Sequence, residues 1–279
     1  MTVLNRLLGQ LFDVLFLPFR DLPSWIGVAV VSLVVSMGML WVYKRTSDQK
    51  AIAAAKAKIH AGIFEIRLFS DDPIAIFRAQ RDILRHNAKY FSLALVPLAW
   101  MIVPLALVVG QLQFLFGYRG LEPGAETVVR ARLADDWRAD LAGVAEDERP
   151  PIALEAPAGV EVLTPAVWLP SKGEVLWRAA VREPGDYTLT VKLGDSMQTK
   201  SIRAREGVLR RSPVRHAGAF VDQVLFPSEP PIPKGPLRAI EVEYPEAGTT
   251  LGMPAWLVLF FGLSIVFAFA LKGRFGVTI

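Results

Sequence analysis

The residues with most chemistry to offer are polar side chains set inside apolar stretches: Ser32, Ser36, Gln111, Gln113 and Ser264. A polar side chain in a bilayer faces a bundle interior or a wet cavity, because lipid offers it no partner. A serine can also bond its own helix. These five are the candidates for lining a shared polar face. A second set is basic: Lys56, Lys58, Arg78, Arg81 and Arg85, with Lys50 and Arg67 beside them, crowd one short segment. Two readings stay open for it. One is a solvated face attracted to anionic lipid, worth about 1 kcal/mol per side chain. The other is a docking site for an acidic or RNA-containing partner such as a ribosome.

Covalent chemistry has no comparable signal. His60, His86 and His216 are scattered, and there is no HExxH, no GxSxG, no phosphate loop and no paired-carboxylate motif. His216 near Asp222 reads as structural. The absence of cysteine excludes a disulfide framework, thiolate metal sites and a cysteine nucleophile. The expectation is a non-enzyme with no catalytic residue, no metal and no cofactor. No apolar stretch carries an ionisable residue in its middle, so a proton relay or ion-coupled pump is not expected either.

The elements that hold these residues are three apolar runs, 22–43, 90–118 and 251–271. About 20 apolar residues in a helix cross a hydrocarbon core of about 30 Å, so each run reads as a transmembrane helix and the lipid bilayer as the first partner. The 279 residues are 52% hydrophobic and 21% charged, too apolar for an ordinary soluble domain and too charged for a transporter of many spans. The basic surplus is local: 44–89 holds ten Lys/Arg against five Asp/Glu, whereas 119–246 holds seventeen against twenty. Short basic loops stay cytoplasmic, which places 44–89 and the tail 272–279 inside and the N-terminus and 119–250 outside. The expected location is a bacterial inner membrane.

Residues 1–21 read as an amphipathic helix in the membrane interface, with Leu4, Leu7, Leu8, Leu11, Phe12, Val14, Leu15 and Phe16 against Asn5, Arg6, Gln10 and Asp13. Packing of that helix on the spans is the alternative. Asp13, Pro18 and the lack of a small-residue cleavage pattern argue against a signal peptide. In 44–89, Ile52, Ile59 and Ile66 recur every seven residues, with Ala55, Gly62 and Phe69 beside them. Asp71-Asp72-Pro73 then stops one helix and starts another, in which Ile76, Phe77, Gln80, Ile83, Leu84 and Asn87 share a face. The segment reads as a cytoplasmic helical hairpin or short coiled coil.

Beyond residue 118 the pattern becomes short alternating strands, 127–133, 152–155, 160–163, 174–181, 186–193 and 198–205, divided by turns such as Glu183-Pro184-Gly185 and Gly194-Asp195. Strands at that spacing predict an all-β sandwich, and the Pro184-to-Val191 run is similar to a strand of immunoglobulin-like domains. The proline-rich 207–245 reads as an ordered or semi-ordered return along that domain toward the membrane.

Taken together, 1–118 and 251–279 resemble the YidC/Oxa superfamily of membrane protein insertases, in its compact three-span form. The resemblance rests on the order of interfacial helix, span, cytoplasmic hairpin, span and returning span. It also rests on Lys58-Ile59, Asp72, Ile83-Leu84, Asn87, Pro97, Pro104 and Gln111. It implies a groove that lowers the cost of moving a polar flank part-way through the membrane, a solvation effect. Two departures stand out. Val34-Val35-Ser36-Met37-Gly38 carries no charge where bacterial members have a groove arginine, and the β-domain of 119–250 is an insertion. The expected function is to assist insertion, folding or assembly of membrane proteins, with nascent chains or a ribosome at the hairpin and an extracytoplasmic protein at the sandwich. The alternative is a membrane-anchored interaction or sensor protein whose sandwich binds a partner.

Overall fold

The computed structural model describes residues 2–140, 144, 148–218 and 228–277. Asp222 and the end of the tail lie outside them, as do the side chains of Leu4, Asn5, Arg6 and Leu8. The helices are α1 (Thr2–Phe16), α2 (Ser24–Thr46), α3 (Gln49–Leu68), α4 (Pro73–Phe116), the short α5 (Asp135–Asp140) and α6 (Ala255–Phe275). Three of them, α2, α4 and α6, are long and apolar enough to cross a membrane. The 44 residues of α4 rise about 66 Å, twice a hydrocarbon core. No break falls at residue 90, so the second hairpin helix and the second span are one rod. Pro97 and Pro104 sit inside it, where each removes one backbone donor from the helix ladder.

The hairpin turn follows from its capping residues. Phe69 closes α3 with its N–H on Glu65 O, and Asp72 Oδ1 accepts from the N–H groups of Ile74 (2.9 Å) and Ala75 (3.2 Å) with Pro73 in the first position. Asp48 caps α3 in the same way through Ala51 N.

Among the described residues, eleven strands follow the same logic of pleat and turn. They are β1 (Glu126–Leu133), β2 (Ile152–Glu155), β3 (Val160–Val162), β4 (Val167–Leu169), β5 (Glu174–Val181), β6 (Gly185–Leu193), β7 (Ser196–Ala204), β8 (Val214–His216), β9 (Leu237–Val242), β10 (Thr249–Thr250) and β11 (Met253–Pro254). One antiparallel sheet runs β3-β5-β1-β9-β8 with β4 also on β5; another runs β2-β6-β7. Their inward side chains, Val129, Trp177 and Ile240 from the first and Leu154, Leu189 and Ile202 from the second, form one core. Gly194 has φ +54° in the two-residue β6–β7 turn, which pairs Leu193 with Ser196. Among the described residues, the proline-rich return is part of the sheet. It supplies β8 and β9, and β9 lies between β1 and β8 within the sheet.

The chain divides into two compact units, Met1–Gly27 with Val109–Trp256, and Val28–Val108 with Leu257–Ile279.

Candidate functional site

Within the second unit, the serines expected to line a groove form a helix seam. Ser32 Oγ donates to Phe260 O at 3.2 Å. Ser36 Oγ lies 2.6 Å from Ser32 O and 3.0 Å from Ser264 O, sharing its one proton between its own helix and α6. Ser32 is fully buried, and Val28, Val31 and Leu40 extend the same buried stripe. Small hydroxyl residues let two backbones approach and supply the bonds that lipid cannot. The pairs 32 with 260 and 36 with 264 advance in the same direction, so α2 and α6 run parallel. Ser264 Oγ is buried beside the seam with no hydrogen-bond partner among the described residues.

The third long helix is left open. In the most apolar window of α4 only 6% is buried, against 33% in α2. Phe77, Leu84, Phe91 and Leu98 stand seven residues apart and are all exposed, Phe77 at 77%. They form one stripe from the hairpin turn onto the span, drifting only about 20° per seven residues. Phe64, Leu68 and Ile74 add exposed apolar surface at the turn.

Only a narrow seam closes the hairpin. Ile52, Ala55, Gly62 and Ala79 are buried, and a Cβ at Gly62 would stand 2.6 Å from Ile83 Cγ1, so that glycine sets the close approach. Ile59, Ile76 and Ile83 are half-buried, whereas Phe77 and Leu84, expected on the same face as Ile83, turn outward. Of the basic residues, Lys56 stacks over the Tyr90 ring at 5.4 Å and so belongs to the hairpin base. Lys58, Arg78, Arg81 and Arg85 are exposed and join none of the described ion pairs.

Gln111 and Gln113 belong to the first unit. Gln111 is buried and its Oε1 accepts from Arg210 Nη1 at 2.8 Å. The same guanidinium donates through Nε to Asp13 Oδ1 at 2.8 Å and through Nη2 to Gly9 O at 3.3 Å. Arg210 therefore joins α1, the end of α4 and the loop after β7. Phe16 assists with an edge-on contact to Phe116, while Leu7, Leu11 and Val14 on the opposite side of α1 stay exposed. Gln113 is half-buried, with its amide packed over Gly117.

Arg211, 3% exposed, turns inward and donates to the carbonyls of Tyr118 (3.0 Å), Arg205 (2.7 Å) and Gly207 (3.1 Å). Burial lowers its pKa. Gly207, at φ +94°, lies so close to Arg20 O that no side chain fits there. These contacts border a cleft of about 770 Å³ where α2 begins and α4 ends.

A second buried cluster lies in the β-part. Lys200 is fully buried, donates to Ser212 O at 2.6 Å and to Glu229 Oε1, and Glu229 also accepts from Ser201 Oγ at 2.8 Å. Burial alone would raise the Glu229 carboxyl, but the Lys200 ammonium and the hydroxyls of Ser201 and Ser212 outweigh it and hold it below the usual carboxylate range. Arg210 had no sequence signal beyond the Arg210-Arg211 pair after Val208-Leu209. Lys200 had one, since it shares the parity of Ile202 and Ala204 on the inward face of β7. No three His, Asp or Glu side chains among the described residues gather as metal ligands. No family model, no curated protein and no solved structure matches this chain.

Proposed function

We propose that this chain is a YidC/Oxa-like membrane protein that assists insertion, folding or assembly of other membrane proteins, with α4 as the surface that receives them. The observation carrying this reading is the exposed Phe77, Leu84, Phe91, Leu98 stripe, which continues from the hairpin turn into the most apolar and least buried of the three spans. An apolar helix of a client that follows the stripe exchanges water for apolar contact at Phe77 and Leu84, and lipid contact for helix packing along the span. Exposed Arg78, Arg81 and Arg85 on the same helix favour clients with acidic flanks. The groove in this reading is an apolar slide on α4 rather than a pocket lined by Ser32 and Ser36, whose hydroxyls serve the α2–α6 seam.

The basic bias of 44–89 puts the hairpin in the cytoplasm. The parallel course of α2 and α6 supports a common outer face for Ser24 and Ala255, where the N-terminus and the β-domain then lie. Two antiparallel sheets around one core support an immunoglobulin-like sandwich as the finer description of that domain.

Photocrosslinkers at Phe77, Leu84 and Leu98 should capture nascent membrane proteins, while one at Ser36 should capture only this chain. A cysteine at Ser70 should be shielded from a membrane-impermeant maleimide in intact cells, and one at Ser196 should be labelled. Capture of lipid alone at all three stripe positions sinks the client reading. The anchored interaction or sensor protein would then replace it, a reading favoured by the cleft at the start of α2.

A further inference from the structure

The cleft of about 770 Å³ is bounded by Arg20, Asp21, Arg119, Glu122 and Glu206, all exposed, over an apolar floor that includes Phe116. None of those five charged side chains has an ion-pair partner among the described residues. The cleft opens where one spanning helix starts, at Ser24, and the next ends, at Phe116. Two successive antiparallel spans bring those ends to one face of the membrane, so the cleft lies at the level of lipid headgroups. Its volume suits a small polar group with the root of its apolar chains.

We propose that this cleft binds the headgroup of a zwitterionic phospholipid, phosphoethanolamine being the chemistry that fits. Arg20 and Arg119 hold the phosphate, Glu122 and Glu206 hold the ammonium, and the floor meets the glycerol and the first methylenes. Charge balance selects this occupant. Arg20, Arg119 and Arg211 face Asp21, Glu122 and Glu206, so an anionic headgroup gains nothing net, while a zwitterion meets a partner at each end. The inference depends on the membrane reading and is independent of any client at α4.

The test uses the full chain in nanodiscs or detergent, with native mass spectrometry to count retained lipid. Phosphatidylethanolamine should be retained over phosphatidylglycerol of the same chains. Arg20→Ala with Arg119→Ala should weaken its retention about tenfold. Glu122→Gln with Glu206→Gln should reverse the preference toward phosphatidylglycerol, a reversal that damaged folding cannot produce. Equal retention of both lipids by the unaltered chain overturns the proposal, as does indifference to either pair of substitutions. Soluble phosphoethanolamine binding as tightly as the lipid would overturn the assignment to a membrane headgroup.

Discussion

The β-part and the hairpin treat charge in opposite ways. On the sheet β5-β1-β9, Arg130 and Arg132 bridge Glu174 and Glu241, so cations and anions cross three strands as one ladder. Beneath, Lys200 and Glu229 complete each other in the core. On the hairpin, Arg78, Arg81 and Arg85 stand in solvent beside exposed Phe77 and Leu84. One region pairs many of its charges internally, and the other leaves these three outside the described ion pairs. Exposed apolar side chains in number are unusual on a free surface. The proposed client surface rests on this contrast, while the ladder and the Lys200–Glu229 pair serve the β-part's own architecture.

The largest effect should come from breaking the most internal pair. Glu229→Ala leaves Lys200 fully buried without its anionic partner, which is expected to cost about 3–5 kcal/mol. Chemical unfolding of the full chain in detergent measures it. Replacing both, Lys200→Met with Glu229→Leu, should restore most of that stability, because two apolar groups need no partner. The pair also sets a pH dependence. The Glu229 carboxyl is held below its ordinary value, so its contribution is complete above about pH 4.5 and is lost as pH falls through the lower folded value. The double variant should lose that acid-sensitive step. If the single and double variants are equally unstable, the cluster is not a self-contained pair.

Much of this contrast can be read in the sequence, and the exceptions have physical causes. Strands β2 and β5 match their expected bounds because their ends coincide with turn residues. Strand β9 is hidden in the sequence because prolines on both approaches, Pro233 and Pro236 before it and Pro245 after, disguise a six-residue ladder partner of β1. Ser32 and Ser36 were visible as polar residues in a span, but pattern cannot distinguish a wet groove from a helix seam. That choice depends on Phe260 and Ser264, 228 residues away. Arg210 is the same case: its three acceptors come from positions 9, 13 and 111, and no local rule assembles them.

That junction should give the next largest effect. Arg210→Ala strands the Gln111 amide and the Gly9 carbonyl and removes the Asp13 pair, at a cost of about 1–3 kcal/mol for buried acceptors left unmade. Arg210→Lys should recover little, since an ammonium cannot present the planar fork that reaches all three. Proteolysis of α1 in membranes would report the loss as faster cleavage near Gly9. Unchanged protection would mean that the aromatic contact between Phe16 and Phe116 holds α1 by itself.

The hairpin seam should be next, because a single contact sets its spacing. Gly62→Leu forces a branched side chain into Ile83 and should cost about 1–3 kcal/mol in overpacking, read as loss of helicity or earlier cleavage in 49–89. Shortening the neighbour in the same chain, Ile83→Ala, should relieve part of it, and the coupling between the two substitutions measures the contact. Additive effects would place the helices farther apart than Gly62 implies.

The smallest change in stability should accompany the largest change in function. Phe77→Ser with Leu84→Ser alters side chains that are 77% and 69% exposed, so unfolding should shift by no more than about 0.5 kcal/mol per site. In the β-part, by contrast, Ile240→Ser would unfold the core, for Ile240 is fully buried between the sheets. If the stripe on α4 receives apolar client helices, the double serine variant should keep its fold, its seam and its labelling at Ser196 while losing crosslinks from Leu98, a position it does not touch. That loss at a distance is the decisive readout, because it requires a client that enters along the stripe and not one that meets the span directly from lipid. Crosslinks from Leu98 that persist at full strength would confine the client to the span and leave the exposed phenylalanine and leucine of the hairpin to an anionic membrane surface.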